Sequence, residues 1–389
     1  LFSRPVDGQT SWWFSGKLLR PRVAHRHFAQ AKQTTPSGNG WAPALFFLDA
    51  LRMIVWRFPY EEAMPGLRFF EQPERLHQFF SEKLFPAFPA PDGLAWQGYR
   101  PIKYMPGKRC VLQHTFLNKR TGDTVQLYSK TYPDGQAEEA FDRWQEVARR
   151  MKGVMETPLP LAYWQEACTI WMEAWPGEPL LDSPTGLNET LFARLGRQIA
   201  GLHQLPAGNL EPLILLEDVL ASAREDCASL AWHLPEHTSL FQQIGRRIEL
   251  LCSGIEVGQI PRALVHNALR LEQFLGNGER IALLDLDAAG QGDPLYDVAE
   301  FLSSLEYLAL CQPEYRQLLA FQSAFLEAYA NQVPWEMDAR RLLAYQLTAL
   351  AGKLHDSIKN LHRPALNRLE EILNMLDTLN RQAGRLCGD

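Results

Sequence analysis

Residues 264–297 read LVHNALRLEQFLGNGERIALLDLDAAGQGDPLYD, and they give the strongest indication of the fold. It begins with an apolar run and continues through a polar loop into a short strand that ends at Leu275. A Gly-Asn-Gly turn leads to a second predicted strand, Ile281 to Leu284, which delivers Asp285 and Asp287. Two short strands joined by a glycine-containing turn predict a hairpin, and the end of a hairpin can aim side chains into a cleft. We therefore predict a functional site here.

These residues resemble the catalytic segment of the aminoglycoside phosphotransferase and choline kinase-like family, which has the protein kinase fold. That segment reads H-G-D-x-x-x-x-N/Q, hairpin, I-D-F/W-D/E, and then G-D-P-x-x-D. The chain has Asn267-Ala268 where the family has Gly-Asp, so Ala268 stands at the position of the catalytic aspartate. The residues that match the family at its spacing are His266, Gln273, Leu284-Asp285-Leu286-Asp287 and Gly292-Asp293-Pro294-Leu295-Tyr296-Asp297.

The resemblance implies an α+β, two-lobed protein kinase-like fold. Its N-lobe is a small antiparallel β-sheet plus a helix, and its C-lobe is mainly helical. We expect three parts along the chain. Residues 1–95 form an N-terminal helical and aromatic extension, residues 96–178 the kinase-like N-lobe, and residues 179–389 the helical C-lobe with the catalytic-type loop and the metal-binding hairpin.

The length and charge of the chain limit its class. With 389 residues, 46% of them hydrophobic, the chain is long enough for two or three domains with substantial cores. Its net charge of -6 and isoelectric point near 6.0 argue against a nucleic-acid-binding protein, which needs a basic surface. We expect a small or cationic partner rather than a polyanion.

The cysteines and the apolar runs predict a cytoplasmic protein. The six cysteines are scattered, with no C-x-x-C pair and no histidine spaced for zinc, which is typical of reduced thiols. The longest apolar run, Leu45 to Phe58, is interrupted by Asp49, Arg52 and Arg57 and is too short to span a bilayer. The N-terminus does not have the pattern of a signal peptide.

The first 95 residues are rich in aromatic side chains. We predict a helix-like run from Ala44 to Phe58 and a second helical segment after Pro73. One face of the second segment carries Leu76, Phe79, Phe80 and Leu84. We expect this aromatic surface to pack onto the next domain, and a membrane or partner surface is the alternative.

From Gly98 the pattern changes to short strands. We predict strands at Arg100 to Tyr104, Cys110 to Phe116 and Thr124 to Thr131, followed by a helix that starts near Asp134. This order is that of a kinase-like N-lobe. Beyond Gly186 the chain is predicted to be mainly helical, and we expect His203, at the end of the first of these helices, to be structural.

In the resembled fold a strand lysine touches the nucleotide phosphates and is held by a helix glutamate. Lys130 is the candidate lysine, and read alone it would be a solvent-exposed residue at a strand end. Glu146 lies at the family's usual distance, and Glu139, two turns earlier on the same helix face, is the alternative.

Two further segments match the nucleotide-binding parts of the resembled fold. The turn with Gly107 occupies the place of the phosphate-covering loop, although one glycine is few for cradling phosphates. Lys108 or Arg109 either adds charge at the phosphates or solvates a hairpin tip. The run MEAWPGEP, residues 172–179, resembles the hinge, whose backbone near Glu173 to Trp175 would meet the adenine edge.

The resemblance implies ATP, or another nucleoside triphosphate, and Mg²⁺ as cofactors. Asp285 and Gln273 would bind the metal, and Asp287, on the same side of an extended strand, would be a second carboxylate ligand. We expect His266 to support the loop by hydrogen bonding. Asp293 and Asp297 are predicted to anchor the loop and cap the following helix.

Ala268 leaves three functions open. The first is a degenerate phosphotransferase, a pseudokinase that binds nucleotide and Mg²⁺ with weak or no transfer. The second is an active ATP-dependent small-molecule kinase with a displaced base, for which Glu272 and Asp287 are candidates. The third is a scaffold that binds no nucleotide. The partner besides the nucleotide is either an unknown small-molecule acceptor or a protein, and Arg270 could bind an anionic group on it.

Overall fold

The computed structural model describes residues 2–6, 10–35, 43–88, 93–133, 135–183, 186–211 and 215–388, with side chains from residue 13 onward. The chain divides into two compact units. The first comprises Leu1–Gln145 and Pro158–Ala174, and the second comprises Glu146–Thr157 and Trp175–Asp389. The predicted boundaries near residues 95 and 178 stay predictions.

The first unit begins with a four-stranded antiparallel sheet of order β1-β2-β4-β3. Its elements are β1 Phe2–Val6, β2 Thr10–Leu18, α1 Pro21–Thr34, β3 Leu45–Leu48 and β4 Met53–Arg57. Helix α1 packs on this sheet, with Ala31 buried against Ile54 and Trp56. The extension is therefore not simply helical.

The predicted helix from Ala44 to Phe58 is wrong. Strands β3 and β4 pair as a hairpin in this range, joined by a 3-10 turn at Asp49–Leu51. Arg52 ends the turn in the left-handed region at φ 50°. A short apolar run does not distinguish a helix from a strand by periodicity, and the β-branched and aromatic residues Ile54, Val55 and Trp56 favour the strand.

The second helical segment of the extension is confirmed. It runs as α2 Pro73–Phe79, a π-helical turn at Phe80–Leu84, and α3 Phe85–Ala87. The four residues predicted on one face, Leu76, Phe79, Phe80 and Leu84, are all buried in one cluster with Phe116 and Trp171 of the following sheet. The expected packing of this aromatic segment onto the next sheet is thus confirmed.

The second sheet of the first unit has five antiparallel strands in the order β5-β6-β7-β9-β8. The elements are β5 Leu94–Met105, β6 Arg109–Asn118, β7 Thr124–Thr131, α4 Ala137–Met151, β8 Pro160–Trp164 and β9 Thr169–Glu173. The predicted order of three strands and a helix is confirmed. Asp134, where that helix was expected to start, lies outside the described residues.

The second unit is mainly helical, as predicted. Its helices are α5 Glu189–His203, α6 Leu216–His233, α7 Thr238–Cys252, α8 Pro294–Cys311, α9 Gln322–Ala330, α10 Ala339–Lys359, α11 Arg363–Leu366 and α12 Leu369–Cys387. Its short strands are β10 Glu178–Pro179, β11 Ala263–Val265, β12 Phe274–Asn277, β13 Arg280–Leu283 and β14 Gly290–Gly292. One hydrophobic cluster joins α6, α7, α8, α10 and α12. Within the described ranges, no helix is long and apolar enough to cross a membrane.

Candidate functional site

The loop that follows β11 is held by a buried carboxylate from α8. Asp297 is fully buried and accepts hydrogen bonds from the backbone N–H groups of His266, at 2.5 Å, and Asn267, at 2.8 Å. The same carboxylate lies 3.2 Å from Nε2 of His203, whose Nδ1 meets the Tyr329 hydroxyl at 2.8 Å. Asp297 therefore anchors the loop, and His203 is a buried structural residue, as the sequence predicted.

Asp293 caps α8. Its carboxylate accepts the Leu295 N–H at 3.0 Å and the Tyr345 hydroxyl at 2.9 Å, and it lies 2.8 Å from Nε of Arg341. Burial raises its pKa even though the Arg341 charge opposes the shift. The predicted helix-capping role of this residue is confirmed.

The backbone of Leu284, directly before Asp285, is fixed from two sides. Its carbonyl accepts a hydrogen bond from Nε2 of buried His266 at 2.8 Å, and its N–H donates to the Gln273 carbonyl at 2.8 Å. The Gln273 side-chain oxygen accepts the Arg270 N–H at 3.0 Å. His266 thus makes a hydrogen bond of the kind that was expected to support the loop. Through these bonds the loop and the hairpin are joined next to Asp285.

The two candidate metal carboxylates do not extend a strand. Strand β13 ends at Leu283, Asp285 takes a left-handed conformation at φ 69°, and Asp287 lies in the 3-10 turn Leu286–Ala288. The expectation that an extended strand places both carboxylates on one side is therefore wrong. The turn forms because Leu286 is fully buried, which draws the chain inward directly after Asp285.

Asp285, Asp287 and Gln273 carry oxygen donors of the kind that Mg²⁺ binds. Both carboxylates are part-buried, and the Gln273 amide oxygen has a second lone pair beyond the one used by Arg270. Mg²⁺ takes hard oxygen ligands, often one or two carboxylates together with phosphates and water. Within the described ranges, no group of three or more His, Cys, Asp or Glu side chains is placed to hold a metal. The chemical fit to Mg²⁺ therefore rests on the two carboxylates and the one amide.

Asn267 stands where the resembled motif has glycine, and its backbone has a conformation that glycine favours. It lies at φ 68°, in the left-handed region, which asparagine tolerates better than most residues. Ala268 follows, and it has no carboxyl group. Both residues line a cavity of about 600 Å³ that lies wholly within the second unit.

That cavity contains ion pairs that the sequence did not reveal. Glu300 of α8 accepts Nε of Arg270 at 3.0 Å and Nζ of Lys353, from α10, at 2.6 Å. Asp226 of α6 lies 2.6 Å from Nδ1 of His355. Arg270, for which we expected an anionic ligand, thus has a carboxylate partner in the protein. The helical repeat of α8 is the one sequence pattern that indicates a role for Glu300, because Glu300 lies one turn after Asp297 on the same helix.

Lys130 is buried in the first unit. It lies on the inner strand β7, paired with Val111 and Ile170 on the neighbouring strands, and its side chain is 3% exposed. Its Nζ lies 5.3 Å from the centre of the Tyr132 ring. The alternative reading of Lys130 as a solvent-exposed lysine is therefore wrong. Burial of an ammonium group requires compensating partners.

The turn before β6 has a carboxylate partner that the sequence did not reveal. Gly107 adopts φ 72°, and its N–H donates to the Glu61 carboxylate at 3.0 Å. Tyr104 donates to the same carboxylate at 3.4 Å. Lys108 and Arg109 follow at the tip and the start of β6. The Gly107 N–H, which lies in the turn predicted to cover the nucleotide phosphates, thus donates to a protein carboxylate.

Glu146 contacts two arginines of its own helix, at 2.7 Å from both Arg149 and Arg150. Their hydrogen bonds lower its pKa to about 2. Glu139 is exposed on the same helix. The pairing of Lys130 with Glu146 or Glu139 stays a prediction.

The predicted hinge residues have backbone and side-chain partners in their own units. Glu173 ends β9, and its carboxylate accepts the Leu159 N–H at 3.1 Å. Trp175 donates from Nε1 to Glu156 at 2.8 Å, and Arg280 lies over its ring at 5.4 Å while pairing with the same glutamate. Adenine contact through this backbone stays a prediction.

The model of the family described as "Phosphotransferase enzyme family" matches residues 111–343, more than half of the chain. The chain belongs to this family. Among solved structures, the phosphotransferase resembles a choline kinase from Cryptosporidium parvum Iowa II, with 13% identity and a TM-score of 0.54 over 81% of this chain and 95% of that one. It also resembles a spectinomycin phosphotransferase in complex with ADP and spectinomycin, with 11% identity and a TM-score of 0.50 over 80% and 97% of the two chains. No curated protein matches the chain.

These likenesses confirm the kinase-like fold that the segment 264–297 predicted. They also agree with the α+β class, since this phosphotransferase has antiparallel sheets toward its N-terminus and a mainly helical second unit.

Proposed function

We propose that this phosphotransferase-family protein binds a nucleoside triphosphate with Mg²⁺ and transfers its phosphoryl group weakly or not at all. The observation that carries the proposal is the contrast within one loop. Asp297, His266 and Gln273 make the contacts that hold the loop and the residue before Asp285, whereas residue 268 is alanine. We infer that nucleotide and metal binding persist and that the group which orients the acceptor is absent.

Each residue has a role in this proposal. Lys130 contacts the phosphates, held by Glu146 or Glu139, and the backbone near Glu173 and Trp175 meets the base. Asp285 and Gln273, with Asp287 as a further candidate, hold the metal. When bound, Mg²⁺ neutralises charge on the phosphates. The complex of a spectinomycin phosphotransferase with ADP supports nucleotide use in this family.

The missing carboxylate has a kinetic consequence. General acid–base groups contribute about 10²- to 10⁴-fold to a rate, so Ala268 leaves binding intact and lowers transfer by a factor of that order. The candidate substitutes do not replace it in this proposal: Glu272 is exposed, and Asp287 lies in the turn beside the proposed metal ligand.

Calorimetric titration of ATP tests the proposal. With Mg²⁺ we expect micromolar binding to the wild type that weakens about tenfold or more in Asp285→Ala, because a metal ligand is lost. Lys130→Met should weaken binding as well, whereas the exposed Lys119→Met serves as the control and should match the wild type. Absence of ATP binding to the wild type would contradict the proposal and favour the scaffold.

ATP consumption in the same samples separates the pseudokinase from an active kinase. The proposal predicts little turnover by the wild type and a gain in Ala268→Asp, which restores a carboxylate at the base position. Ser222→Asp adds a carboxylate elsewhere in the same cavity and should give no gain. Robust wild-type turnover that Asp285→Ala abolishes would instead establish an active kinase with a displaced base.

A further inference from the structure

The N-terminal part of the chain carries an excess of positive charge that the overall composition hides. The chain as a whole has a net charge of -6, yet no aspartate or glutamate occurs between Asp7 and Asp49. The lysine and arginine side chains of this interval lie at the end of β2 and at the start of α1 and along it, and all of them are exposed: Lys17, Arg20, Arg22, Arg26 and Lys32. The interval therefore forms a cationic surface on a protein that is anionic overall.

The acidic residue that follows this interval does not cancel its charge. The Asp49 carboxylate, in the turn between β3 and β4, is bonded to Arg52 and lies 3.3 Å from Nε2 of His25. Because His25 is near the start of α1, this contact places the beginning of the helix beside the turn. The first turn of α1 has no acidic residue, and its N-terminal N–H groups add partial positive charge. Within the described ranges, the five exposed cations have no ion-pair partner.

Three exposed leucines lie at the same end of the first sheet. Leu18 ends β2 and Leu48 ends β3, and both pair with Met53 at the start of β4. Leu51 lies in the turn that joins β3 to β4. Leu18 is 65% exposed, Leu48 41% and Leu51 57%. These three leucines, called the apolar tip below, thus lie next to the end of β2 and the start of α1, where Lys17, Arg20 and Arg22 are found.

Cations beside exposed leucines fit the surface of a membrane that contains anionic lipids. Basic side chains are attracted by such a surface, and apolar side chains gain free energy by leaving water for the boundary of the acyl chains. A nucleic acid would match the charges but would leave the leucines in water, and single strands bind to aromatic side chains on which bases stack. Phe28 and Phe47, between α1 and β3, stack on each other instead, at 5.2 Å. An anionic lipid surface therefore matches both the charge and the apolar tip.

We propose that this end of the N-terminal sheet binds peripherally to membranes that contain anionic lipids. The apolar tip enters the boundary between headgroups and acyl chains, and Lys17, Arg20 and Arg22 contact the lipid phosphates. The inference goes beyond the proposed function, because this binding needs neither nucleotide nor Mg²⁺ and uses none of the residues assigned to them.

Co-flotation of the full chain with lipid vesicles, without nucleotide or metal, tests the inference. One set of vesicles contains equal amounts of phosphatidylcholine and phosphatidylglycerol, and the other set contains phosphatidylcholine alone. We expect saturable binding to the first set and little binding to the second. Binding to the first set should weaken as the salt concentration rises, because salt screens the attraction between the cations and the lipids.

Two double variants separate the charge from the insertion. Arg20→Gln with Arg22→Gln should weaken binding roughly 10- to 30-fold, because each basic residue near an anionic surface contributes about fivefold. Leu18→Ser with Leu51→Ser keeps every charge and should weaken binding about tenfold or more, because it removes the apolar groups that leave water. The matched controls change exposed residues of the second unit and should bind like the wild type: Arg246→Gln with Arg385→Gln, and Leu250→Ser with Leu386→Ser.

The outcomes separate this inference from the proposed function. Equal binding to both sets of vesicles, or wild-type affinity of either double variant of the N-terminal sheet, would overturn it. Tighter binding of polyuridylate than of the anionic vesicles at the same salt concentration would also overturn it, by showing a nucleic-acid surface. Asp285→Ala should bind the vesicles like the wild type. A protein that binds anionic vesicles but no ATP would retain this inference and refute the proposed function.

Discussion

Asn267 and Ala268 occupy the two loop positions at which the sequence departs from the motif that it resembles. Asn267 keeps a backbone conformation that glycine usually provides, at φ 68°, and both oxygens of Asp297 hold the loop at this point. Ala268 keeps the chain's path but supplies no proton acceptor. In the proposed function, Asn267 therefore preserves the geometry of the loop, whereas Ala268 lacks the group that would accept a proton.

Glu306 on α8 gives a pH-dependent prediction. Burial raises its pKa from 4.5 to about 7, against a hydrogen bond from Gln322. The folded protein therefore binds more protons than the unfolded chain between these two values, and its stability falls as pH rises from about 4.5 to about 7. Glu306→Gln cannot ionise, so we expect it to be roughly 2–3 kcal/mol more stable than the wild type at pH 8 and about equal to it at pH 4.5.

Urea unfolding of both proteins at the two pH values measures this difference. Glu314→Gln, an exposed glutamate beyond the end of α8, is the control and should show no comparable pH-dependent gain. An equal stability difference between Glu306→Gln and the wild type at both pH values would contradict the predicted titration.

At the scale of elements, α8 positions the loop through one carboxylate. Asp297→Asn leaves a single carbonyl oxygen for the N–H groups of His266 and Asn267, and its amide group adds donors where acceptors are needed. We expect a loss of about 2–3 kcal/mol in urea unfolding, because a buried donor loses its charged partner.

Amide hydrogen exchange gives the local readout of this variant. The amides of residues 266 and 267 should exchange faster in Asp297→Asn than in the wild type. Asp377→Asn, which loses an exposed pair with Arg381 on α12, should change neither stability nor exchange of the loop. Unchanged protection of the loop in Asp297→Asn would show that other contacts hold it.

Much of the element order was predictable from sequence because local patterns determine it. The strands and helix over residues 94–151, the hairpin β12–β13 and the amphipathic helices all follow from apolar periodicity and turn residues. The hairpin β3–β4 was missed because an apolar run of this length fits either a helix or a strand. The turn at Asp285 was missed because the burial of Leu286, which is not a local property, bends the chain.

The site was predictable only where residues act through a motif. The spacing of His266, Gln273, Asp285 and Asp297 identified the loop and hairpin. Their contacts were visible only in the structure, like those of Glu61 at Gly107 and of Glu300 and Lys353 in the cavity, because these pairs join residues far apart in sequence. Ala268 was evident from the sequence alone, since an absent functional group needs no coordinates.

At the scale of the whole molecule, the proposed function assigns different roles to the two units. Lys130 belongs to the first unit, and Asp285, Gln273 and the cavity beside Ala268 belong to the second. In the proposed function the missing base affects only phosphoryl transfer, so nucleotide binding and phosphoryl transfer are separately testable properties of the chain.

Phosphorus NMR of ATP mixed with the wild-type protein, before and after addition of Mg²⁺, is the decisive measurement, because one spectrum reports both nucleotide binding and ATP consumption. We expect saturable, Mg²⁺-dependent broadening or shifts of the phosphate resonances, with no accumulation of ADP or of a new phosphate ester over hours. Steady growth of ADP together with a phosphate ester would contradict the claim by showing an active kinase, and phosphate resonances unaffected by the protein would contradict it by showing that no nucleotide is bound.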